Sequence, residues 1–259
     1  MPTFHRLLEI VAIAAFGLLD VGLMVRVANA ATTTASWCLV AVAVLSAYLV
    51  ADFASGFVHW MFDRYFSVRT TIVGENFVKP FREHHVDPKG ICRHDFVETN
   101  GNNCIGTVPI LAVAHLLPLP ADEGFWLFLA AGVASMMFFV FCTNQFHAWA
   151  HASQVPWFIA RLQASWLILN RRHHDIHHTA PFDRYYCITT GWLNPLLYRL
   201  RFFERTERLI YHLTGVRAGR DDAAYAGLDP KMYAAALRRA EAEDAITRMA
   251  PVGDGKAPQ

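Results

Sequence analysis

Four long stretches with few charges constrain this chain more than any other feature: Leu7 to Val27, Trp37 to Trp60, Cys104 to Leu119 and Trp126 to Trp149. About 20 apolar residues cross the hydrocarbon core of a bilayer. Inside lipid a helix is the simplest segment that satisfies its own backbone. The pattern therefore predicts an all-α integral membrane protein with about four transmembrane helices and a polar helical cap. The second and fourth stretches each begin and end in tryptophan, with the two rings about 34 Å apart at the helical rise, which suits the aromatic belts at the two interfaces. The third is the shortest, roughly 24 Å of helix, and it contains Pro109; it is expected to be kinked or continued by its flanks. Ala28-Asn29-Ala30 after the first stretch resembles a signal-peptidase site, but the length of the run, with Asp20 and Arg26 inside it, argues for a retained span.

Charge gives the orientation. The chain is 54% hydrophobic and only 17% charged, with a net charge of +1, so no basic stripe for nucleic acid exists. Lysine and arginine concentrate in two places, six between Asp63 and Asn103 and fifteen after His151, whereas Pro120 to Phe125 carries two acids and no base. The positive-inside rule puts both basic segments in the cytoplasm. Spans two and four then run inward, and their inner ends carry His59 and His147. These residues, far apart in sequence, are predicted to lie at one depth on one face. The organisation expected is an N-terminal span over 1–35, a main domain over 36–220, and a C-terminal part over 221–259. In that last part Asp229-Pro230 opens a helix to about Met249 and a disordered tail follows.

Histidine is the unusual residue. Of thirteen, ten fall in five compact groups: His59; His84 and His85; His94; His147 and His151; and His173, His174, His177 and His178. His5, His115 and His212 are isolated. On a helix, residues four apart share a face, so the last group is predicted to pair His173 with His177 and His174 with His178, and His147 pairs with His151. A lone interfacial histidine means little, but several imidazoles packed together are costly to bury without a cation. The five cysteines include no C-x-x-C pair, which leaves imidazole as the ligand type. Ten imidazoles exceed a zinc site severalfold, and magnesium or calcium would want oxygen. Two ions with four or five nitrogens each account for the set, and iron gives a redox reason for such a pair. Asp63, Glu98 and Asp175 are candidates to ligate or to orient imidazole N–H groups.

Five motifs then point to a family: Ala51-Asp-Phe-Ala-Ser-Gly-Phe-Val-His59-Trp60, Pro80-Phe-Arg-Glu-His84-His85, Arg93-His-Asp-Phe-Val-Glu98-Thr-Asn-Gly-Asn-Asn-Cys104, Arg172-His-His-Asp-Ile-His-His178 and Tyr186-Cys-Ile-Thr-Thr-Gly-Trp-Leu-Asn194. Together they resemble the Kua-type lipid desaturases, roughly from Ala51 to Arg220. The resemblance implies a non-haem di-iron oxidoreductase that uses O2 to turn the 1-O-alkyl chain of an ether phospholipid into a 1'-alkenyl chain, as in the plasmanylethanolamine desaturase branch. The Ala-Trp-Ala between His147 and His151 departs from that branch and is more like the plastid acyl desaturases.

Desaturation takes two electrons from substrate, O2 needs four, and no flavin, nicotinamide or cysteine-cluster signature is present. An external donor of the cytochrome b5 or ferredoxin kind is implied, for which Arg161, Arg171, Arg172 and Arg184 offer a basic docking surface. Trp192 and Asn194 are expected near the mouth of an apolar substrate channel, in a segment from Tyr185 to Leu197 too short to span. An acyl desaturase or lipid hydroxylase would use a similar metal site. A haem-binding electron carrier would instead pair histidines across the bilayer, and a non-catalytic scaffold would have no use for the clustered imidazoles.

Overall fold

A computed structural model describes residues 3–66, 70, 71, 73–179 and 182–219. The expected C-terminal helix and tail lie outside these residues. All regular structure among them is helical: α1 (Thr3–Ala30), α2 (Thr34–Arg64), a π-helical turn (Gly74–Val78), α3 (Lys79–Val86), a short 3-10 turn, α4 (Phe96–Ala114), α5 (Gly124–His151), α6 (Trp157–Ala164), α7 (Arg171–His174), α8 (Asn194–Arg199) and α9 (Phe202–Thr214). The described residues fall into two compact units, a larger one within 3–61 and 89–218 and a smaller one within 62–88 and 219.

Among the described residues three helices are long and apolar enough to cross a membrane: α1 from Phe4, α2 and α5. No more than a third of the most apolar window of each is buried. Large apolar side chains such as Leu18, Val21, Leu45, Val50 and Phe128 point outward. A water-soluble domain avoids so much exposed apolar surface, whereas lipid provides its natural solvent. The inward faces meet through small residues, Ala12, Ala43, Ala130, Ala131 and Ala134, packed with Leu23, Leu111 and Leu127. Small side chains let membrane helices approach closely, since lipid offers no hydrophobic drive to pack.

The third expected span, Cys104 to Leu119, is corrected: it is not among the helices of membrane length. Cys104 to Ala114 forms only the second half of α4, whose first half carries Glu98, Asn100, Asn102 and Asn103. This half bonds to α5: Asn103 Nδ2 donates to Val140 O (2.9 Å), Asn144 Nδ2 to Thr99 O (3.0 Å), and Asn100 Nδ2 to Gln145 Oε1 (3.3 Å). The helix therefore trades apolar length for a polar seam and stops at Ala114, before Pro118 and Pro120. Beyond it, the Asp122 carboxylate accepts from Thr32 N (2.9 Å) and from the Thr32 hydroxyl, latching two inter-helix loops together. Those hydrogen bonds, the Thr32 side chain first, hold the Asp122 pKa down to about 2.

The segment from Tyr186 to Gly191 is non-helical yet buried. It lies along α2. Asp52 Oδ1 accepts from Thr190 N (2.7 Å) and Gly191 N (2.9 Å), Asp52 Oδ2 from Leu193 N (3.2 Å), and Ser55 Oγ from Ile188 N (3.0 Å). Irregular backbone survives at membrane depth only when protein satisfies its polar groups, and α2 does so here. Gly56 makes the approach possible, because a Cβ there would sit 2.4 Å from Cys187 Sγ. The interfacial piece expected around Tyr185 to Leu197 is thus, for its first half, a strap enclosed by protein.

Candidate metal centre

Four imidazoles of the larger unit converge at the C-terminal end of α5. His147 and His151 occupy its last two turns, and the chain returns through α7 and the turn after it to bring His174 and His178 against them. Their Nε2 atoms are separated by 2.9 Å between His147 and His174, 3.0 Å between His174 and His178, and 3.2 Å between His147 and His151. A neutral imidazole nitrogen has either one proton or one lone pair. His174 Nε2 and His147 Nε2 each face two partners, so hydrogen bonds can account for at most two of the three contacts. A cation accounts for all of them: two nitrogens at about 2.0–2.1 Å from one ion, at a right angle, are about 3 Å apart. Burial first, and then His178, His147, His151 and His177, push the His174 pKa well below the ordinary histidine value, leaving the neutral form that binds metal.

A second imidazole pair lies beside this cluster. His59, in the last turns of α2, has its ring centroid 4.4 Å from that of His177 and 6.1 Å from that of His147. His59 and His147, at the C-terminal ends of α2 and α5, thus come near each other. His59 Nδ1 donates to Tyr186 O (3.2 Å) and His177 Nδ1 to Arg184 O (2.8 Å). A carbonyl can only accept, so the proton is on Nδ1 and Nε2 keeps its lone pair, the arrangement that fixes a metal-binding histidine.

In the smaller unit, α3 carries buried His84 and His85, and His85 Nε2 is 3.3 Å from Asp63 Oδ2. Arg82 makes that pairing. Its buried guanidinium donates to Phe62 O (3.1 Å), Tyr65 O (2.9 Å) and Phe66 O (3.1 Å), which caps the end of α2 with α3. Asp63 lies one helical turn beyond His59 on α2.

Other expected site residues fall elsewhere. His173 and His177 do not pair, because α7 ends at His174 and the following turns redirect the chain. His173 Nε2 instead meets Asn194 Nδ2 at 3.2 Å, beneath Gly191, where a Cβ would be 2.6 Å from its ring and where φ is +77°. Neither His173 nor His94 belongs to a group of close donor atoms. His94 is half exposed, with Nε2 3.8 Å from Glu98 Oε1, and Asp175 is exposed. Asn194 is buried and committed to backbone, accepting from Cys187 N (2.8 Å) and donating to Cys187 O (2.9 Å). Trp192 is partly exposed, with its indole N–H on Trp166 O. Asp52 and Arg82, the two side chains that organise these loops, carry no metal-like spacing. The one signal for Asp52 is a carboxylate inside an apolar run.

A profile described as the lipid desaturase domain matches residues 48–221. The chain belongs to the lipid desaturase family. It is 47% identical over 217 residues to plasmanylethanolamine desaturase of Myxococcus xanthus, covering 84% of this chain and 76% of that one. With plasmanylethanolamine desaturase 1 of Mus musculus it shares 45% over 197 residues, 73% and 71% of the two chains. Chloroplastic fatty acid desaturase 4 of Arabidopsis thaliana is 34% identical over 185 residues, 68% of this chain and 53% of that one. No solved structure matches. In this lipid desaturase the histidine clusters are poised for a di-metal centre, and its long apolar helices suit a multi-pass membrane protein.

Proposed function

We propose that this chain is an O2-dependent desaturase of ether phospholipids, converting a 1-O-alkyl chain to a vinyl ether with its metal centre at the cytoplasmic surface. The observation that carries the reading is the meeting of His147, His151, His174 and His178 through nitrogens about 3 Å apart, in a chain 45–47% identical to plasmanylethanolamine desaturases. The lower identity to the chloroplastic enzyme favours the ether substrate over an acyl one, although Ala-Trp-Ala lies between His147 and His151.

On this reading His147, His151, His174 and His178 hold one iron, and His59 and His177 contribute to a second. His84, His85 and Asp63 are proposed as further ligands, supported by their burial and by the pairing of His85 with Asp63. Two irons would supply O2 activation and removal of two hydrogens from adjacent chain carbons. The protein's own part is positional. Tyr186 O and Arg184 O set the tautomers of His59 and His177, and Asn194 fixes the strap that presents Tyr186 O. Overall, one alkyl chain, one O2, two electrons and two protons give one alkene and two waters, so a donor protein must deliver two electrons. Exposed Arg161, Arg171 and Arg172, with Arg184 nearby in sequence, offer it a basic face. Turnover with a purified donor should then slow as salt rises, and salt-independent turnover would remove the docking idea.

The deciding experiment is lipid mass spectrometry of cells expressing the intact chain or His174→Ala, scoring acid-labile vinyl ethers apart from ordinary alkenes. Vinyl ethers with the intact chain and none with the variant are expected. Ordinary alkenes alone would make it an acyl desaturase, and hydroxylated chains a hydroxylase.

A further inference from the structure

Beside the metal-binding turns of α5 is a cleft of about 240 Å³. Ala148 and Ala152 line it, and each follows by one residue a histidine of the four-imidazole cluster, His147 and His151. One residue is about 100° around a helix, so the cleft opens at the height of the cluster on the neighbouring face. Its volume is below the roughly 300–1,000 Å³ of sites for drug-sized molecules, enough for a small polar group and too little for a long alkyl chain.

The lining combines apolar Phe96 and Trp149 with polar His94, Thr99 and Gln145. Gln145 is oriented by Asn100 Nδ2, and Thr99 by Asp95 O. His94 of that lining stands 3.8 Å, imidazole to carboxylate, from Glu98, and both side chains are partly exposed. Arg6, held by Asp95, is within the electrostatic reach of Glu98. Basic and acidic groups thus adjoin beside the cleft, the complement of a zwitterion.

We infer that this cleft binds the phosphoethanolamine headgroup of the lipid substrate, with Glu98 accepting hydrogen bonds from the ammonium and His94 facing the phosphate. The inference rests on the ether-lipid reading above, which makes a headgroup site necessary here. A vinyl ether forms at the carbon attached to the ether oxygen, only about five bonds from the phosphate oxygen, at most about 7 Å at roughly 1.5 Å a bond. The headgroup must therefore dock next to the metals. A primary ammonium carries N–H donors that a carboxylate can accept, whereas a trimethylammonium has none, so Glu98 discriminates ethanolamine from choline. His94 is then a substrate contact and not a metal ligand.

The test uses iron-loaded, full-length protein in mixed micelles, with 1-O-alkyl phospholipids carrying ethanolamine or choline. Bound lipid and iron per chain are measured for the intact protein, Glu98→Gln and His94→Gln. The intact protein is expected to prefer ethanolamine at least tenfold. Glu98→Gln should bring that preference within twofold, and His94→Gln should weaken both lipids, with iron unchanged in each. Loss of iron in His94→Gln, or an unaltered preference in Glu98→Gln, overturns the inference. Free phosphoethanolamine should compete only weakly; binding as tight as the intact lipid would assign the cleft to a soluble phosphoester instead. Headgroup preference without any vinyl-ether product would sink the proposed reaction and leave this site standing, and vinyl-ether formation without preference would do the reverse.

Discussion

Replacing Asp52 by alanine tests how the fold holds its metal-binding turns. The Asp52 carboxylate is fully buried and receives three backbone N–H groups, from Thr190, Gly191 and Leu193. A buried donor left without an acceptor costs about 1–3 kcal/mol, so the three together predict a loss of about 3–9 kcal/mol. In a chain of this size that lowers the melting temperature by about 10 °C or more. The effect should reach the metals. The loop that Asp52 anchors leads into Asn194, Asn194 holds Cys187, and the adjacent Tyr186 O orients His59. Asp52→Asn keeps one oxygen, hence the two shorter bonds, and should recover about half of the loss. The assay is thermal unfolding of detergent-solubilised protein, with iron per chain measured on the same samples. An Asp52→Ala protein with intact melting temperature and full iron would refute the reasoning.

Other outcomes follow from single contacts. Gly56→Ala should destabilise the fold, because its Cβ would meet Cys187 Sγ at 2.4 Å and Cys187 N at 3.0 Å; Cys187→Ala in the same chain should restore part of the melting temperature, since only the sulfur clash is relieved. Arg82→Lys should lower iron occupancy, because a lysine cannot fork onto the three carbonyls that Arg82 joins; elemental analysis reads this out. Asp122→Asn should lower stability at neutral pH. Because folding depresses the Asp122 pKa, its contribution is complete above the ordinary carboxylate value and is lost as pH falls toward about 2. The difference in melting temperature between Asp122→Asn and the intact protein should therefore shrink over that window.

Sequence patterns revealed this architecture unevenly, for physical reasons. Apolar length marked α1, α2 and α5, and the positions of His59 and His147 at the ends of two of them foretold their meeting. The i, i+4 rule worked for His147 with His151 and for His174 with His178, but failed for His173 with His177. That rule assumes a continuous helix; past the end of α7, His178 N still reaches back four residues to His174 O (3.3 Å), but His177 N closes a tighter turn onto the same oxygen (2.9 Å). The third apolar run counted as a span because hydropathy ignores what precedes it, the asparagines that tie α4 to α5. Asp52, Arg82 and Asn194 were opaque as supports because each bonds mainly to backbone N–H or C=O groups, which every residue possesses and no side-chain spacing advertises.

Iron per chain in purified, active protein bears most directly on the central claim. Two irons per chain are expected for the intact protein, and one or fewer for His174→Ala at an unchanged helical content. Activity without iron, or a His174→Ala protein that retains both irons, would contradict the account.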